Sequence, residues 1–146
     1  MSGWVERTGL GLSLAGLATS AYLTYEHYTA GLTLACPEGG AVNCAKVTSS
    51  SWSSLFGVPV ALLGLLYFVA FTALFVPAVA ARVPSIGPVR LGLAGLGVAF
   101  VLYLVWAEFA VGAICLWCTV VHAITVALLL LLVYDRLTAE VDPTRS

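Results

Sequence analysis

The sequence predicts an all-α integral membrane protein: a four-transmembrane-helix bundle with a long extracytoplasmic loop between helices 1 and 2. Three observations predict it. Of the 146 residues, 61% are hydrophobic and only 9% are charged, against roughly 45–50% and 25% in an ordinary soluble protein. Mean hydropathy is +1.04, more apolar side chain than a chain this short can hide from water. Four stretches reach the roughly 20 apolar residues that a helix needs to cross a hydrocarbon layer about 30 Å thick. A soluble globular domain is excluded. So is a disordered chain, which needs low hydrophobicity and high charge. The net charge is -1 and the six basic residues stand singly, so no basic stripe is present to bind nucleic acid. The length predicts a single membrane domain over 1–146.

The helices are expected over about 9–28, 58–80, 89–110 and 114–134. Arg7 before the first run, and Ala18-Thr19-Ser20 within it, resemble a signal peptide and its cleavage site. The run continues to Tyr28, however, and Glu6 spoils the basic start, so a retained helix is expected. Pro59 falls in the first turn of the second helix, where proline is tolerated. Residues 81–88 hold Pro84, Gly87 and Pro88 and read as a turn. Residues 111–113 leave almost no loop, so the third and fourth helices should be close antiparallel neighbours. Small residues at Gly9, Ser13, Gly16 and Ser20, and at Gly92, Gly95 and Ala99, should let helix backbones approach closely. Tyr22, Tyr25, Tyr28, Trp106 and Trp117 read as an aromatic belt, and Glu26, His27 and Glu108 as interfacial polar anchors. The tail after Tyr134 is polar and reads as a frayed end. No internal repeat is present.

Four spans put both ends of the chain and the 81–88 turn on one side. That side holds Arg7, Arg82, Arg90, Arg136 and Arg145, and the other holds only Lys46. The positive-inside rule then places both termini in the cytoplasm, the protein in the cell membrane and the 29–57 loop outside. All four cysteines follow the loop to the outer face, where disulfides form and persist.

Cys115-Leu116-Trp117-Cys118 opens the fourth helix. Residues i and i+3 share a helix face, and the two Cα atoms can come within disulfide range. The positive end of the helix favours a thiolate, the nucleophile in exchange. Cys36 and Cys44 are separated by seven residues that include Gly39-Gly40, a turn signal able to bring the thiols together. Three readings of the four cysteines stand open: a zinc site, two structural disulfides, or redox exchange. The wide Cys36–Cys44 spacing argues against zinc knuckles. The C-x-x-C at a helix start beside hydrocarbon favours exchange. A dithiol there needs an electron acceptor, and a lipid quinone is the obvious apolar candidate. The rivals are a non-enzymatic membrane scaffold with structural disulfides and a small transporter. A transporter would need ionisable groups at the midplane, where only His122 qualifies.

Cys36-x7-Cys44, then Ser50-x-Trp52-x3-Phe56-Gly57 leading into a membrane helix, then Cys115-x-x-Cys118 at the head of the last helix, together resemble the vitamin K epoxide reductase family. The run Phe56-Gly57-Val58-Pro59-Val60-Ala61 is similar to its prokaryotic branch. The resemblance implies a quinone-reducing thiol oxidoreductase that supports disulfide-bond formation and needs no metal. Cys36 would meet a dithiol partner, Cys44 would pass electrons to Cys115, and Cys118 would face a menaquinone, ubiquinone or vitamin K type quinone. Ser50 matches the family's pocket residue near the ring. Many prokaryotic relatives carry a fused thioredoxin-like domain. This chain has no second C-x-x-C, so a separate thioredoxin-fold dithiol protein is the expected partner.

Two further site expectations follow. His122 stands where eukaryotic members carry a tyrosine, four residues after Cys118 and on the same helix face. It reads either as a hydrogen-bond donor to a quinone carbonyl or as a buried structural imidazole. The segment around Trp52, Leu55 and Phe56 reads as a surface-lying cap on the quinone pocket, with these apolar side chains pointing down.

Overall fold

The computed structural model describes residues 3–29, 34–37 and 39–141. The last part of the expected frayed tail, 142–146, lies outside them. Four long helices dominate: α1 (Gly3–Tyr28), α3 (Val60–Phe75), α5 (Ile86–Val111) and α6 (Leu116–Val141). Two short ones complete the set, α2 (Cys44–Thr48) and α4 (Pro77–Ala80). Two of the long helices, α5 and α6, are long and apolar enough to cross a membrane by length and composition. The segment expected as loop is built rather than plain. It contains α2, a 3-10 turn at Ser51–Ser53 and a two-stranded hairpin, β1 (Ser54–Leu55) against β2 (Val58–Pro59).

α1 and α3 pack against each other, and small residues make this possible. Gly9, Ser13, Gly16 and Ser20 all lie on the buried face of α1. A Cβ at Gly9 would overlap the Phe75 ring, and one at Gly16 would overlap the Phe68 ring. A Cβ at Gly64 would sit 3.4 Å from the Ser20 hydroxyl. The partners run in opposite directions, so the pair is antiparallel. Phe68, Phe71 and Phe75 join Ala94, Leu128 and Leu132 in the central core. The second expected stripe is corrected. Nothing approaches a Cβ at Gly92 or Gly95, and Gly92 and Ala99 are exposed. α5 buries Ala94, Gly97 and Val101 instead.

The helix ends differ from expectation for local reasons. α3 stops at Phe75, short of the expected 80. Pro77 has no N–H to donate, and its ring disfavours helical backbone at the residue before it. Val76 is accordingly extended, with ψ 124°. The Leu74 carbonyl is then taken by Arg90, whose Nε and Nη2 donate to it at 3.2 and 2.7 Å. The same guanidinium stacks 4.4 Å from the Phe75 ring centroid. Arg90 is thus buried in the bundle rather than displayed in a loop. α6 continues about two turns past Tyr134, to Val141. α5 ends on Gly112, whose left-handed φ of 68° lets its N–H reach back to the Glu108 carbonyl at 2.9 Å. Only residues 112–115 join α5 to α6, and the two helices pack together.

Candidate functional site

The tight turn expected at Gly39-Gly40 is present, closed by reciprocal backbone hydrogen bonds between Gly39 and Val42 at 3.2 and 3.1 Å. It folds Cys36 and Cys44 together in a disulfide, with Cα atoms 6.2 Å apart. Asn43 then caps α2, its side-chain oxygen accepting the Lys46 N–H at 2.8 Å. This fixes Cys44 as the first residue of α2.

A backbone seam joins this loop to the other cysteine pair. The Ile114 N–H donates to the Ala41 carbonyl at 2.9 Å, and the Asn43 N–H donates to the Ile114 carbonyl at 3.0 Å. Cys44 and Cys115 are the residues immediately after the two ends of that second bond. Both are fully buried, at 0% exposure. Cys36 keeps partial exposure. A second contact holds the loop at its other end. Ala35 donates its N–H to the Tyr22 hydroxyl at 2.9 Å, and its carbonyl accepts the Trp117 indole N–H at 2.7 Å. Tyr22 and Trp117 meet edge to face, 5.2 Å between centroids. Expected as belt residues, they clamp the residue before Cys36.

Cys115 and Cys118 are free thiols. Cys115 immediately precedes α6, and its carbonyl accepts the Thr119 N–H at 2.9 Å. The Cys118 N–H points at the Cys115 sulfur from 3.3 Å. Hydrogen bonding from the Cys118 side chain lowers the Cys115 thiol below its ordinary value, against the opposing effect of burial. A lowered thiol carries more of the reactive thiolate.

Cys118 opens into a cavity of about 360 Å³ bounded by α1, α3, α5, α6 and the 47–53 segment. Its size suits a small organic ligand. Ser50 and His122 line it with Cys118, so these residues singled out from sequence meet there. His122 is 7% exposed. The Ser50 hydroxyl donates to the Val47 carbonyl at 2.7 Å, so its lone pairs remain to accept.

Phe56 is not brought to the cavity, a correction to the expectation for that residue. It occupies the tip of the β1–β2 turn with φ 51°, followed by Gly57 at φ 82°. Two consecutive positive φ values make a tight hairpin turn that throws the intervening side chain outward. Phe56 is 98% exposed. Trp52, expected beside it in the same cap, does line the cavity, packed edge-on against Trp106 at 5.0 Å between centroids.

Glu108 and Tyr67 are among the cavity residues that escape the sequence reading of the site. Glu108, expected as an interfacial anchor, is buried, and its Oε1 accepts the Cys115 N–H at 3.2 Å. It lies seven residues before Cys115, and that offset was its only signal. Tyr67 sits in an apolar run with no local cue. Among the described residues, no group of three or more His, Cys, Asp or Glu is arranged to hold a metal ion.

A helical membrane fold that sets a free dithiol at an apolar cavity, with a second cysteine pair bonded against it, defines a membrane thiol oxidoreductase. Comparison with known families agrees. The model of the Vitamin K epoxide reductase family (VKOR) matches residues 8–133, which include all four cysteines. The chain belongs to that family.

Proposed function

We propose that this protein carries two electrons from an extracytoplasmic dithiol protein to a lipid quinone and so supports disulfide-bond formation. The observation that supports this most directly is the Ile114 seam. It ties the residue before buried Cys44 to the residue before buried Cys115, with partly exposed Cys36 at one end and cavity-lining Cys118 at the other. Exchange proceeds by thiolate attack on a disulfide sulfur, so access orders the steps. A thioredoxin-fold partner attacks Cys36, the more exposed cysteine of the pair, and releases Cys44. The partner's second thiol then resolves the mixed disulfide. Cys44 attacks Cys115 of a Cys115–Cys118 disulfide, and Cys118 leaves as a thiolate. Cys36 attacks Cys44, restores the Cys36–Cys44 bond and frees Cys115. The resulting dithiol gives two electrons and two protons to the quinone, yielding quinol and the Cys115–Cys118 disulfide. The bonding observed, Cys36–Cys44 closed with Cys115 and Cys118 free, corresponds in this cycle to the moment before quinone reduction.

The same reading assigns four spans. α3 alone, at 16 residues, rises about 24 Å, so α4 beyond the Pro77 break completes the crossing. Arg90 is engaged by Leu74 and leaves the topology count. Arg7, Arg82 and Arg136 still oppose Lys46, which supports cytoplasmic termini and outward-facing cysteines.

The test is a trapped intermediate. In Cys118→Ala, Cys115 has lost its C-x-x-C partner and turns on Cys44. A Cys44–Cys115 disulfide should accumulate and be found by mass mapping. A variant holding only Cys36–Cys44, with Cys115 free throughout turnover, contradicts the order proposed.

A further inference from the structure

Among the polar side chains that line the cavity, one stands apart from thiol exchange by what its buried oxygen lacks. Tyr67 on α3 lines the cavity, and its hydroxyl oxygen is buried without a hydrogen-bond partner among the described residues. A buried hydroxyl left unpaired is costly, so the position suits an acceptor that arrives with a ligand. The ring is held firmly, edge-on to Phe68 at 5.0 Å and tilted against Phe71 at 5.5 Å between centroids. The hydroxyl occupies space that Gly97 leaves open. A Cβ there would collide with the Tyr67 oxygen and come within 2.9 Å of the Thr125 methyl. Thr125 cannot donate to Tyr67, because its hydroxyl already donates to the Val121 carbonyl at 2.9 Å. The oxygen therefore lies near the level of Thr125, three residues past His122 on α6, or about 4.5 Å further along the axis. Cys118 and His122 mark one end of the chamber, and the Tyr67 hydroxyl marks a deeper one.

We propose that Tyr67 is the deep hydrogen-bond donor for a 1,4-quinone, taking the ring carbonyl opposite the one at the His122 end. This rests on the quinone reading above. Para carbonyls point in opposite directions and can reach both ends of the chamber. An ortho-quinone presents both oxygens at one end and cannot. Tyr67 thereby sets the ring class and depth, while electron transfer stays with Cys118.

The test uses the full chain in detergent, a dithiol donor and 2,3-dimethyl-1,4-naphthoquinone, whose blocked ring carbons resist thiol addition. Tyr67→Phe should raise the quinone KM about three- to tenfold and leave kcat within about twofold, the signature of lost ground-state binding. Its quinone-free Tm should hold or rise, because the unpaired hydroxyl is gone, while the Tm increase caused by the quinone shrinks. A purely structural tyrosine would lower the quinone-free Tm and leave KM alone. Gly97→Ala, which displaces the hydroxyl, carries the same KM expectation should the phenylalanine variant fold poorly. An unchanged KM overturns the proposal, as does a fall in kcat with KM unchanged. Wild type that turns over in the same assay separates this failure from failure of the quinone reading. Wild type inert to the quinone removes both.

Discussion

His122 shows how a single side chain decides between chemistry and packing. It is buried, and it lines the cavity one helical turn beyond Cys118. Quinone reduction needs protons at the ring oxygens, and one positioned donor is worth on the order of 10²–10⁴ in rate. His122→Phe should therefore lower kcat at least about tenfold, and His122→Tyr, which keeps a donor, should recover much of it. Equal turnover of His122→Phe at equal protein level would make the histidine a packing residue. At this scale much of the site was legible. The four cysteines declare themselves by spacing, and His122 by its i+4 offset from Cys118. Phe56 was misplaced because the sequence does not show that two positive φ values at Phe56-Gly57 will turn its ring outward. Tyr67 was invisible because its meaning depends on Gly97, thirty residues away, having no Cβ.

The elements were legible as helices and less so at their ends. Hydrophobic length located α1, α3, α5 and α6, but the stop at Val76 depends on Pro77 and on a guanidinium from α5 that satisfies the freed Leu74 carbonyl. Small residues announced close packing on both α1 and α5. Facing rings fill the space at Gly9 and Gly16 on α1, whereas nothing approaches the expected positions Gly92 and Gly95 on α5. That distinction gives a prediction of opposite sign for two neighbouring glycines. A Cβ at Gly16 would overlap the Phe68 ring, whereas one at Gly11 meets nothing within 4 Å. Gly16→Ala should lower thermal stability in detergent by about 1–3 kcal/mol through overpacking. Gly11→Ala should hold or raise it by up to about 1 kcal/mol through helix propensity. Shifts of the same sign and size would contradict the α1–α3 contact described here.

Across the whole molecule, the two cysteine pairs come from segments about seventy residues apart. The chain joins them with two backbone hydrogen bonds at Ile114 and one indole hydrogen bond at Trp117. None of these three bonds is readable from local pattern, because each links the 35–43 loop to the turn before α6 or to the first turn of α6 itself. In the proposed relay they give a path from partly exposed Cys36 at one end to an apolar chamber at the other. The most direct measurement of that path is quinol formation by the purified full chain, given a reduced thioredoxin-fold protein and a lipid quinone, in wild type and in Cys118→Ala. The account predicts one quinol for each donor disulfide formed in wild type, and no sustained quinol formation in Cys118→Ala. Continued quinol production by Cys118→Ala, or donor oxidation by wild type with no quinol formed, would contradict it.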